Sequence, residues 1–421
     1  MQARPSVAAA VVLGTLATSG CRDDPTAPSD PATPTPTPDV ALTAAATTLA
    51  FWQVSSGNVH TCAVAAADSL AWCWGTNDEG QLGTGSIVTT DECVGAAGAF
   101  PCSTTPVRVA GSRKFRSISV GYIHTCAVTK DFYAWCWGDN ETGQLGVGTR
   151  IQRSATPLPV GGGLRFRQVD AGAFHTCGVT YPDNRLFCWG YNQSGQLGDG
   201  TLSPRWTPVK PLGGLIVRQV ASGYSHSCAL TTLNRAYCWG YNNDGELGDT
   251  TRARRTKPVK VVGGHAFRQI DAGNYHTCAV TTDARAFCWG SGSWGQIGDG
   301  KTHLSLWPRP VSGKLSAARV TTGGYHTCAE TLSKQAYCWG NNSFGQIGNG
   351  QMGAGLAVLT PVAVVGGLAV AQMSAGIWHT CAKTTAGVGY CWGYDFFAQL
   401  GDGRSAFGAW SPVPVPVATP Q

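Results

Sequence analysis

Apolar residues in this chain come in short runs rich in Val, Phe, Tyr and Trp, punctuated by clusters of Gly, Asn, Asp and Thr. Such a pattern predicts strands joined by tight turns rather than amphipathic helices. The runs also recur. His-Thr/Ser-Cys is read at His60, His124, His175, His226, His276, His326 and His379, each two residues before Cys62, Cys126, Cys177, Cys228, Cys278, Cys328 and Cys381. Cys-Trp-Gly answers it at Cys73, Cys136, Cys188, Cys238, Cys288, Cys338 and Cys391. A fixed period of about 50 residues signals a repeat architecture.

Residues 258–298 show one unit. Pro258-Val259-Lys260-Val261, Phe267-Arg268-Gln269-Ile270, Thr277 to Thr281 and Arg285 to Trp289 read as four strands, with turns at Gly263-Gly264, Ala272-Gly273 and Thr282-Asp283. Four short strands repeated radially make a propeller blade, so the predicted class is all-β. The first unit starts part-way through, at Phe51-Trp52-Gln53-Val54, and a matching Pro-Val strand stands at the far end as Ser411 to Val415. The expectation is a ring closed by pairing of the N- and C-terminal strands, which removes exposed sheet edges.

The cysteines follow from the strands. With a tight turn at Thr282-Asp283-Ala284, Cys278 and Cys288 fall opposite each other on neighbouring antiparallel strands, within bridging range. The same holds for the other six units, and the extra residue in the 62/73 and 177/188 pairs fits in the turn. Cys93 and Cys102 lie together in an insertion between the first two units. Of 17 cysteines only Cys21 is left over. It follows Arg4 and the apolar segment Val7 to Ala17, a context that looks like a bacterial lipoprotein signal. The segment is too short for a membrane span. Residues 1–20 are therefore expected to be a signal peptide and 21–48 a Pro/Thr-rich tether, with the propeller over 49–421. Export suits persistent disulfides.

The formal charge of +6 is modest and charged residues make up 13% of the chain, so nucleic acid is not an expected partner. Glycine (56 residues) and tryptophan (15) fit many turns and packed blades.

The units resemble the regulator of chromosome condensation repeat family, whose motif stands here as Gly223-Tyr-Ser-His226-Ser-Cys-Ala-Leu230 and Trp239-Gly-Tyr-Asn242-Asn-Asp-Gly245-Glu-Leu-Gly248. The resemblance covers all seven units and implies a seven-bladed β-propeller. It says little about function. Nucleotide exchange on a small GTPase, the founding activity of that family, is the least expected role for an exported protein.

Each unit supplies one histidine and a cysteine pair better used as a disulfide, so no metal or other cofactor is expected; each imidazole should instead bond a neighbouring turn. Asn242 to Glu246 loosely resembles a calcium loop, but Ser291-Gly292-Ser293-Trp294 does not repeat its ligands. No nucleophile stands beside a base at fixed spacing, so no enzyme activity is expected. The two residues between Gly and His do vary, and they include Tyr122, Phe174, Tyr224, Tyr275, Tyr325 and Trp378. Placed on equivalent loops of a ring, they form a crown suited either to recognition or to packing between blades. Trp206, Trp307 and Trp410, each near a proline, look like a repeated inter-blade plug. Arg252, Arg254, Arg255, Lys257 and Lys260 form a basic run that reads as solvated loop or as a contact for an anionic envelope polymer.

The expected function is a non-enzymatic, monomeric binding or scaffold module in the bacterial cell envelope. It meets a protein partner through one face and the membrane only through a lipid on Cys21. The alternatives are a regulator or inhibitor of an extracytoplasmic enzyme and an envelope-polysaccharide binder.

Overall fold

In the fifth repeat, strands Phe267–Ala272, His276–Thr281, Ala286–Gly290 and Ser305–Pro310 pair in that order as an antiparallel sheet. The computed structural model describes residues 49–420 except 90, 96–97 and 405–408, so the expected signal peptide, Cys21 and the whole of the expected tether lie outside the described residues. Seven such sheets span residues 51–108, 115–159, 166–209, 217–260, 267–310, 317–363 and 370–416, and stand in a ring as a seven-bladed β-propeller. The first has a fifth strand, Asp91–Gly95, from the insertion.

The cysteine register is as the turns require. Cys278 faces Cys288 across the second and third strands, and the same pairing occurs in every blade, with Cα atoms 4.0–4.1 Å apart. Cys93–Cys102 pins the inserted hairpin.

The division into blades differs from the expected one by a strand. The Pro-Val segment does not open a blade; Cys238 pairs with Val259, so Arg255–Lys260 is the outer strand of the preceding sheet. Proline has no N–H to give a ladder, and an outer edge strand is where that loss is tolerated. The first and last sheets are therefore each complete: Gly98–Arg108 supplies the outer strand of blade one, and Trp410–Pro416 pairs only with blade seven. The ring is not closed by pairing of terminal strands. It closes with the same side-chain contacts that join every other pair of blades.

Three sets of contacts do this. On the inner strands Gln53 donates to the Ile118 carbonyl at 2.8 Å and accepts from the Ile118 N–H at 3.0 Å, and Gln168, Gln219, Gln269 and Gln372 donate to the next blade in the same way. These amides extend backbone pairing from sheet to sheet and line the central cavity. Deeper in the blades each histidine Nε2 meets a Thr or Ser hydroxyl of the next blade at 2.7–2.9 Å, from His60–Thr125 around to His379–Thr61. The hydroxyl gives its one proton to a backbone carbonyl, as Thr277 does to Glu246, so the imidazole must donate from Nε2. Nδ1 is left buried without a partner in all seven.

The third set corrects the tryptophan reading. Of the three expected plugs, Trp307 and Trp410 are 43% exposed on outer strands, and half-buried Trp206 meets blade two at Gly143 and at the Arg150 guanidinium 4.6 Å from its ring. The plug is the Trp of Cys-Trp-Gly: Trp289 is fully buried and its Nε1–H donates to the Glu246 carbonyl of blade four at 2.8 Å. Gly248 stands so close that a Cβ there would lie 2.8 Å from Trp289 Nε1. Trp289→Ala is expected to lower stability by about 3–5 kcal/mol and Trp307→Ala by no more than about 0.5 kcal/mol, measured by denaturant unfolding.

Candidate functional site

Inner and second strands are joined by the two-residue turns of Gly-x-x-His, closed by bonds such as Gly121 N–H to the His124 carbonyl at 2.9 Å. The seven glycines stand shoulder to shoulder around the axis. A Cβ on Gly121 would lie 2.4 Å from the Gly172 carbonyl oxygen, and the same clash would arise around the ring, so only glycine lets the turns meet. The first variable residue is then tied to the next blade, as in Tyr224 N–H to the Gly273 carbonyl at 3.2 Å.

This arrangement gathers all six predicted aromatics on one face, where each is half-buried. They touch in series. Ring centroids are 5.4 Å apart for Tyr122–Phe174, 6.1 Å for Phe174–Tyr224, 6.2 Å for Tyr224–Tyr275, 5.3 Å for Tyr275–Tyr325 and 4.7 Å for Tyr325–Trp378. Blade one breaks the series, since it offers Asn58 and the buried Val59. The result is an arc over six blades rather than a full crown.

The six positions are not equivalent, contrary to expectation. Tyr122 and Tyr224 follow their glycines directly, and their rings lie 5.4 Å apart although a blade separates them, which puts both over the axis. Phe174, Tyr275, Tyr325 and Trp378 come one residue later and line the rim. Ring packs on ring across blades, while part of each stays open to solvent.

The arc also reaches further than the variable turns suggested. Trp378 meets Phe344 at 5.4 Å, Phe344 meets Tyr394 at 4.8 Å, and Tyr394 meets Phe396 at 5.9 Å. Phe100 of the inserted hairpin packs on Phe396 and Phe397. The loops between third and outer strands thus share this face with the turns. Only the position of Phe344 in its loop hinted at this; the role of Phe100 needed the fold. Burial holds the Tyr122, Tyr224 and Tyr275 phenols above their ordinary pKa and Tyr394 at about 12, so these groups stay neutral and able to donate a hydrogen bond.

Other candidates are accounted for by structure. Asn242 accepts from Leu247 N–H at 3.0 Å and donates to the Thr251 carbonyl at 3.0 Å, so its amide shapes the loop. Within the basic run Arg255 is paired to Asp249 at 2.7 Å and Arg254 donates to the Gln193 carbonyl. Among the described residues no three side chains of metal-binding type converge.

A family model described as "RCC1-like domain" matches residues 6–316, and models of the regulator of chromosome condensation (RCC1) repeat match 318–346 and 335–382. The ultraviolet-B receptor UVR8 of Arabidopsis thaliana is 33% identical over 42% of this chain and 38% of its own length. The probable E3 ubiquitin-protein ligase HERC6 of Homo sapiens is also 33% identical, over 42% of this chain and 17% of its own. The chain thus spans well under half of these relatives. Among solved structures, human WBSCR16 superposes with a TM-score of 0.71 at 25% identity, covering 82% of this chain and 94% of that one.

Proposed function

Because the chain belongs to the RCC1-like domain family, we propose that it is a binding propeller whose aromatic arc takes a protein partner. The observation that carries this is the unbroken run of ring contacts from Tyr122 to Trp378, on loops free to vary while the blades stay fixed. Tyrosine and tryptophan bring large area at small entropic cost and dominate binding energy where they cluster. The relatives support a platform rather than a reaction. One is named as a light receptor and another as a ubiquitin ligase, and the match spans only 17% of the ligase.

Eight disulfides are consistent with an extracellular setting, and no helix among the described residues is long and apolar enough to cross a membrane. Within this proposal the protein is exported and held at a bacterial envelope through Cys21. Its partner is an extracytoplasmic protein, and regulation or inhibition of an enzyme there is the form that such a rigid platform suits.

The test is capture of envelope proteins on immobilised chain, with the partner then titrated in pure form. Tyr224→Ala, Tyr275→Ala and Tyr325→Ala together are expected to weaken the complex at least about 100-fold, since each hot-spot aromatic contributes about 2 kcal/mol or more. Unchanged affinity in a triple variant with unaltered circular dichroism sinks the proposal.

A further inference from the structure

The opposite face has a different chemistry. It is built from the turns between second and third strands and from the linkers between blades. Of the chain's 30 lysines and arginines, 19 lie in those segments or on the three strand residues nearest them, beside only five of its 24 carboxylates. Residues 49–421 hold 28 cations and 20 carboxylates, net +8, so an excess of 14 on this face leaves the remainder of the propeller at −6. Along the sequence the two classes alternate loop by loop and cancel; the fold sorts them.

The charges are presented, not buried. Lys114, Lys130, Lys210, Arg235, Lys314 and Lys334 are all exposed. Arg218 reaches across to the Phe267 carbonyl at 2.9 Å, fixing its guanidinium at the inner rim. Some neutralisation exists: Arg185 and Arg285 pair with Asp183 and Asp283 at 2.8 Å, in pairs open to solvent.

Among these cations stand apolar side chains at the outermost points. Leu233 and Leu332, at the tips of turns in blades four and six, are 80% and 56% exposed. Trp52, at the start of the first inner strand, is 62% exposed with Lys383 Nζ 5.2 Å from its ring. Ile216 and Leu212 are exposed in the linker between blades three and four, beside a cleft of about 220 Å³ walled by Leu186, Leu215, Ile216, Arg185 and Lys210. A soluble polyanion has use for the cations only. A bilayer with anionic headgroups has use for both, phosphates meeting the lysines and arginines while leucine and tryptophan enter the headgroup layer.

We infer that this basic face docks on an anionic lipid surface, leaving the aromatic arc turned away from the membrane. This adds a contact to the one expected at Cys21 and does not depend on it.

The experiment uses exported protein carrying Cys21→Ser, which has no thiol to take a lipid. Co-sedimentation is measured with vesicles of equal phosphatidylglycerol and phosphatidylcholine, with phosphatidylcholine vesicles, and on heparin-agarose. Binding is expected on the anionic vesicles and to fall as salt rises. Lys210→Gln, Arg235→Gln and Lys334→Gln together should weaken it roughly 100-fold, at about fivefold per basic residue. Leu233→Ser with Leu332→Ser should weaken vesicle binding at least about tenfold and leave heparin retention unchanged. Equal binding to both vesicles overturns the inference, as does a leucine double variant that binds like the parent. Retention on heparin without binding to anionic vesicles also overturns it and assigns the face to a free polyanion.

Discussion

Full reduction of the blade disulfides is expected to leave a chain that does not hold its native fold at 25 °C. Each of the seven pairs closes a loop of 10 or 11 residues at the centre of a sheet, with both sulfurs buried. By loop-closure reasoning one such crosslink stabilises by roughly 2–3 kcal/mol at most. Together they approach ~20 kcal/mol as an upper bound, which exceeds the net stability of about 5–15 kcal/mol usual for a folded protein. Because the bonds are inaccessible in the native ring, reductant alone should act slowly, and brief exposure to denaturant should speed the loss sharply. Tryptophan fluorescence and near-ultraviolet circular dichroism of oxidised and alkylated-reduced protein decide the matter. A reduced chain with native spectra and a cooperative transition shows that inter-blade contacts suffice by themselves.

The second large effect is acid sensitivity. Burial lowers the pKa of six ring histidines to about 3 and that of His226 to about 4, and the orphaned Nδ1 explains why a second proton finds no acceptor. In the unfolded chain these groups titrate near 6.5. Their contribution is therefore complete above that pH and is lost as pH falls toward the folded value, because the unfolded state takes up protons that the native state refuses. Buried carboxyls act the other way, and burial also pushes Asp271, Glu79 and Glu330 upward. Asp139 and Glu246 are raised to about 7, and Asp170 and Asp395 to about 8, all by desolvation, so the native state holds those protons in the same window. Seven histidines against the four most strongly raised carboxyls set an upper figure of roughly 4 kcal/mol lost per pH unit between about pH 6 and 4, and Asp271, Glu79 and Glu330 reduce it. Thermal melts across that range should show a steep fall in midpoint. A flat profile would mean that the histidines are solvated in the native state.

Much of this was legible along the chain because it is local. Cys278 and Cys288 are ten residues apart around one turn, so their register follows from strand geometry alone. The Gly-x-x-His turns likewise placed Tyr122 through Trp378 on one face. What escaped was contact between segments distant in sequence. Pro258-Val259 sits between a glycine-rich loop and the next Phe-Arg-Gln-Ile, and nothing local says which sheet it joins; only pairing with Cys238 does. Trp307 looked like a plug and Trp289 did not, yet it is Trp289 that faces a neighbouring blade, while Trp307 is 43% exposed. The separation of charge was invisible for the same reason, since adjacent loops emerge on opposite sides of the ring.

Completeness of the first and last sheets has a topological consequence. Where a ring is latched by a strand borrowed from the other terminus, the position of the chain ends is part of the fastening. Here Thr61 and Trp74 reach the Gln399 carbonyl just as Thr277 and Trp289 reach that of Glu246, so the seam at the termini is held like every other seam. A circularly permuted chain, with the old ends joined and new ones cut at Gly213-Gly214, keeps all seven sheets whole. The molecule has no beginning that its architecture needs to know about.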